Sequence, residues 1–312
     1  MIALQLIVRH RALKIGGHAI AFSPRGDLLV YAGGDPMYRS LSVREIACWR
    51  LPDQLLWTHE ERGRRIDAVI FSPDGGRLLC AEQGPAVIEL NPATGAVVRR
   101  VEAHPKNAVH GVAFAPDGST FATASWDMTV KLWRTEDTTL LATLTDGENS
   151  FGGVRFSPDG RHVAAGSAGQ VTVWAADTGK IIRRVQGHSK IEFSPDGRLL
   201  ATVGEGPKKK GEIVLVETAG WTVVRKTAAH IRACNDVCFS PEGLFVATSG
   251  DDKQILVWEI ASGKQLAKGE GRSFDSYGII GLAWSSDGRL LASTDSEGPQ
   301  QPGQVTLFRV DP

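Results

Sequence analysis

Three residues stand out as a set that could do chemistry: His18, Asp67 and His110. Two imidazoles and a carboxylate are acceptable ligands for zinc or another transition metal. Each of the three lies four residues before the aromatic residue of a recurring phrase. The same position in the other copies of that phrase holds Gly152, Ser189, Asn235 and Ile280. Other chemistry is scarce. The chain carries no Gly-rich phosphate loop, no nucleophile elbow and no His-Glu zinc helix. Cys234 and Cys238 sit four apart on one strand, about 13 Å from each other at the usual rise, too far for a shared metal or a disulfide.

The elements that must position these residues come from repetition. FSPDG or a close relative begins at Phe22, Phe71, Phe114, Phe156, Phe193, Phe239 and Trp284, at intervals of 49, 43, 42, 37, 46 and 45 residues. That spacing suits a four-stranded propeller blade and is too long for a repeat of helix pairs. In each copy an alternating apolar stretch such as GVAF (111–114) reads as a strand. Proline then ends the ladder because it has no N–H, and Asp-Gly turns the chain. A second strand follows (TFATAS, 120–125), then a third that often ends in Trp (VKLW, 130–133; VTVW, 171–174; ILVW, 255–258), then a turn and a fourth. No 3.6-residue period persists anywhere.

The predicted fold is therefore all-β: a seven-bladed β-propeller of four-stranded antiparallel blades, forming a single domain over residues 1–312. After the seventh phrase only three strands fit, so the apolar N-terminal segment around Ala3 to Val8 is expected to complete the last blade and remove an open edge. If the blades are regular, the seven positions from His18 to Ile280 line the mouth of the central channel.

Blade three carries AH (103–104), FATASWD (121–127) and VKLW; blade six carries AH (229–230), FVATSGDD (245–252) and ILVW. With these residues the chain resembles the WD-repeat family. The resemblance implies a hydrogen-bonded network inside a blade, here His104, Thr123, Asp127 and Trp133, and again His230, Thr248, Asp252 and Trp258, with Ser125 or Ser249 as substitutes for the threonines. Such a network is structural and is not a catalytic triad. Ala168, Val216, Leu90 and Phe308 depart from the pattern in blades four, five, two and seven, and those blades are expected to hold by apolar packing alone.

Lysine plus arginine and aspartate plus glutamate number 35 each, so no net field favours nucleic acid or an anionic membrane. Arg62, Arg64, Arg65 and Lys208–Lys210 read as solvated loops. Arg99, Arg100, Arg183 and Arg184 read as charges that block edge pairing. Four cysteines make no disulfide framework, which suits a reducing, cytoplasmic setting. The resemblance and the missing catalytic constellation point to a non-catalytic scaffold, a monomer by itself and without cofactor, displaying loops to a protein or peptide partner. Tyr38, Arg39, Trp126, Phe274 and Tyr277 are the candidate anchors, because Tyr, Trp and Arg dominate interface energetics. Two alternatives stay open: a structural or sensor subunit of a larger complex, and a propeller enzyme with a metal held by His18, Asp67 and His110.

Overall fold

The computed structural model of the chain describes residues 2–11, 16–34, 43–270, 278–295 and 303–311. Its strands form seven four-stranded antiparallel sheets. Blade one runs Gly17–Phe22, Leu28–Gly34, Val43–Arg50 and Gln54–Arg62, and the following blades repeat this meander. The innermost strand of each blade lies beside those of both neighbours, and Gly17–Phe22 meets Ile279–Trp284 of blade seven, so the ring is closed. Among the described residues the only helical element is a 3-10 turn at Pro207–Lys209.

The closing strand is Ala3–Arg11, three residues longer than expected, and it pairs antiparallel with Gln304–Asp311 as the outer strand of blade seven. An outer strand left unpaired would present a row of free N–H and C=O groups. Here both ends of the chain satisfy each other in one sheet.

The hydrophobic core is divided among the contacts between blades rather than gathered at one centre. One cluster joins Val30, Ile46 and Cys48 of blade one to Ile66, Phe71 and Cys80 of blade two. Another joins Val173 of blade four to Ile191 and Val214 of blade five. This follows from a radial sheet with two buried faces, whose middle strands read as apolar on both sides.

The repeated phrase works as a turn clasp. In six of the seven copies the serine Oγ accepts the backbone N–H of the residue five positions later, at 2.9–3.1 Å. The phrase glycines all hold positive φ, from 71° to 75°, a conformation that glycine adopts without cost. Each turn also leans on the preceding blade: a Cβ on Gly75 would lie 3.6 Å from Pro24 Cδ, and one on Gly118 would lie 3.5 Å from Pro73 Cδ. Seven such contacts circle one face, with Ser286 replacing proline beneath Gly26.

Candidate functional site

On the opposite face the channel opens into a cavity of about 510 Å³ lined by His18, Asp67, His110, Gly152, Ser189, Asn235 and Ile280. These are the seven positions singled out by spacing. The physical reason is a β-bulge. In blades one, two, three, six and seven the register of the first strand slips at this residue, which has no partner across the ladder. A bulge bends the strand and re-aims the extra side chain, here into the channel mouth. Blades four and five lack the slip, and Gly152 and Ser189 stand just before their first strands.

The three candidate metal ligands meet but bind one another differently. His110 Nδ1–H donates to Asp67 Oδ2 at 2.8 Å, and Arg65 Nε donates to Asp67 Oδ1 at 2.7 Å. Among the described residues no three His, Cys, Asp or Glu side chains group as metal ligands. The carboxylate is thus already engaged by a guanidinium and an imidazole, a poor starting point for a cation. His18 is only 8% exposed, and burial, helped by nearby Arg65 and Lys190, lowers its pKa to about 4 against the pull of Asp67. It is neutral near pH 7. Nε2 of His18 and Nε2 of His110 are both buried without a hydrogen-bond partner among the described residues.

Of the candidate anchors, Tyr38, Arg39, Phe274 and Tyr277 lie outside the described residues. Trp126 is half exposed and stacks on His110, with ring centroids 4.1 Å apart. It separates the channel mouth from a second cavity, of about 250 Å³, lined by Arg64, Gln83, Pro85, Pro105, Lys106 and Asn107 among others.

Deeper in the channel the wall is uneven. Blades seven, one and two present Ala283, Ala21 and Ala68, whereas blades four to six present Arg155, Lys190, Glu192 and Asp236. Arg155 Nε pairs with Glu192. Burial raises the Asp236 carboxyl above its usual value despite the neighbouring Lys190 and Arg155.

The structure brings both predicted networks together. His104 Nδ1–H donates to Asp127 Oδ2 at 2.8 Å, Thr123 Oγ1 meets His104 Nε2 at 2.8 Å, and Trp133 Nε1–H donates to Thr123 Oγ1 at 3.0 Å. In blade six the distances are 2.8 Å (His230–Asp252), 3.0 Å (His230–Thr248) and 3.1 Å (Trp258–Thr248). One tautomer satisfies every group: Trp N–H to Thr oxygen, Thr O–H to Nε2, and Nδ1–H to carboxylate. The threonines hold the central place. Ser125 Oγ instead accepts Asp127 N–H, and Ser249 Oγ has no hydrogen-bond partner among the described residues.

The expectation that the departing blades rely on apolar packing alone is corrected for blades four and five. In blade four Asp146 takes over: its carboxylate accepts Thr172 Oγ1–H and Asn149 Nδ2–H, both at 2.8 Å. Burial works to raise the Asp146 carboxyl, but the bonds from Asn149, Glu148 and Thr172 outweigh it and hold the group below its ordinary value. In blade five His188 faces Glu212 at 3.3 Å, and its backbone N–H donates to Thr202 Oγ1.

The outer arginines also do more than guard an edge. Arg99 pairs with buried Glu89 and crosses to the carbonyls of Thr135 and Glu136 in blade three. Arg100 pairs with Glu61 of blade one. Arg184 donates to the Asp146 carbonyl. Sequence reading missed Arg44 altogether. It is 2% exposed and bonds Glu61 of its own blade and Glu82 of blade two, an ionic clip between neighbours.

Residues 95–134, 138–175 and 221–259 match the family model described as WD domain, G-beta repeat. The chain carries three WD repeats within a seven-bladed β-propeller. Each matched repeat takes in the outer strand of one blade and the three inner strands of the next. The WD-repeat unit of sequence is therefore offset by one strand from the blade, the same offset that lets Ala3–Arg11 close the ring.

Protein HIR1 of Cryptococcus neoformans is similar to the propeller at 27% identity over 231 residues, covering 62% of this chain and 26% of that protein. Meiotic recombination protein rec14 of Schizosaccharomyces pombe is similar at 24% over 216 residues, covering 66% and 70% respectively. The periodic tryptophan protein 2 homolog of Dictyostelium discoideum is similar at 26% over 198 residues, covering 61% and 21%. The propeller thus spans about a quarter of the HIR1 relative.

Proposed function

We propose that this propeller is a non-catalytic scaffold that offers the channel-mouth face to a protein or peptide partner. The observation that carries the reading is Trp126: a half-exposed indole, stacked on a buried imidazole, standing between two cavities. Tryptophan in a partly desolvated setting is the residue type most enriched at interface hot spots. The ring beneath it is held by seven inter-blade cores and is a rigid mount, which reduces the ordering cost of association. The WD-repeat architecture and its matches among proteins with further regions support a part in an assembly. Four unbridged cysteines support a reducing, cytoplasmic setting.

Affinity purification of the tagged chain from the cells that make it tests the reading. A stoichiometric protein partner is expected with the wild type. Trp126→Ala combined with Lys106→Glu should lose it, and Lys180→Glu combined with Lys264→Glu on the phrase-turn face should keep it. Retention by the first pair and loss by the second would overturn the assignment of the face.

A further inference from the structure

The channel-mouth cavity and the groove beyond Trp126 share His110 and Trp126 as common walls, so together they form one cleft. Among the described residues its charged lining is lopsided in a chain of zero net charge: Arg64, Lys106, Arg65 and Lys190 against Asp67. That one carboxylate is spoken for by Arg65 and His110. Lys106 is exposed, and Lys190 forms no ion pair or hydrogen bond among the described residues. Two cations therefore face the cleft without a direct ion pair among the described residues, one in each cavity, and the Asp236 carboxyl on which Lys190 acts lies deeper in the channel, with burial working against its charge.

Resting on the scaffold reading above, we propose that this cleft binds an acidic segment of a protein partner, laid across Trp126, with one carboxylate side chain entering the mouth between His18 and Lys190. The charge argument selects an anion, since a basic segment would meet four cations at close quarters. Trp126 supplies the flat apolar contact for the neighbouring residue. The mouth, at about 510 Å³, has room for a whole side chain and its water.

His18 adds a signature. Its Nε2 has no hydrogen-bond partner among the described residues, and the charged groups that act on the imidazole are Arg65, Asp67 and Lys190. A carboxylate beside a bare imidazole nitrogen is repelled unless a proton lies between them. By screening Arg65 and Lys190 the incoming charge favours that proton. Binding therefore takes up protons and tightens as pH falls. A cationic ligand would accept no such help, and its affinity would weaken on acidification.

Panning a random-peptide phage library against the full chain tests this, followed by fluorescence anisotropy with the labelled synthetic form of each enriched peptide. Acidic peptides should be enriched and should bind tighter at about pH 6 than at about pH 8. Affinity should fall by about tenfold or more with Lys190→Glu and with Trp126→Ala, survive Lys190→Arg, and ignore Lys180→Glu. Thermal midpoints of the variants establish that each is folded. Enrichment of neutral or basic peptides, or of acidic ones indifferent to Lys190→Glu, overturns the inference and leaves the scaffold reading standing. Enrichment of no peptide at all overturns the inference, and the affinity purification above decides the scaffold reading. Displacement of an acidic peptide by labelled single-stranded RNA that itself depends on Lys190 would assign the cleft to nucleic acid and overturn the inference.

Discussion

His110 and Trp126 stack with their planes 27° apart, and the buried imidazole is thereby held between an exposed indole and the Asp67 carboxylate. The tryptophan packs against little else on its outer side, being 50% exposed. Trp126→Ala should therefore cost only about 1 kcal/mol of stability, the scale of one aromatic pair, while abolishing partner binding. Urea unfolding and a binding assay on the same preparation separate the two effects. A loss of stability several times larger would make Trp126 a structural residue.

Thr123 is the hinge of the blade-three network, serving His104 and Trp133 with one hydroxyl. Thr123→Val keeps the shape and strands two buried polar groups. A cost of about 2–4 kcal/mol is expected in urea unfolding, with Thr123→Ser recovering most of it. A valine variant as stable as the wild type would show the network to be dispensable.

Arg44 should be the costliest single charge to remove. Arg44→Met leaves Glu61 and Glu82 facing each other without their shared cation, and a loss of about 3–5 kcal/mol is expected. Adding Glu61→Gln and Glu82→Gln to that variant should recover much of it. Arg44, with Arg100, holds Glu61 near pKa 2 against its desolvation, so the wild type keeps this clip until strongly acid pH.

The His18 imidazole gives a pH dependence of known sign. Its folded pKa of about 4 lies below the ordinary 6.5, so between these values the unfolded chain binds the extra proton. Stability is highest above pH 6.5 and falls as pH drops toward 4, by at most about 3 kcal/mol from this group. His18→Asn should flatten the stability profile in that window. An unchanged slope would mean that His18 is not held neutral.

Much of this was legible because the repeats are local. The phrase spacing gave the blade count, and the position four residues before each aromatic led to the channel mouth, since a bulge recurs at a fixed distance from its turn. The His104 and His230 networks were visible for the same reason: their members lie within one repeat. What escaped detection joins different repeats. Arg44 meets Glu82 across 38 positions and Arg100 meets Glu61 across 39, and no periodicity announces such a pair. Asp146 was overlooked because it stands in the loop before blade four, where the family pattern places a histidine.

Chemical crosslinking of the chain with its partner in intact cells, read by mass spectrometry, tests the central claim most directly. Lys106 and Lys190 line the cleft, and Lys180 and Lys264 mark the phrase-turn face. Partner crosslinks are predicted from Lys106 and Lys190, with none from Lys180 or Lys264. Crosslinks confined to Lys180 and Lys264 would contradict the account.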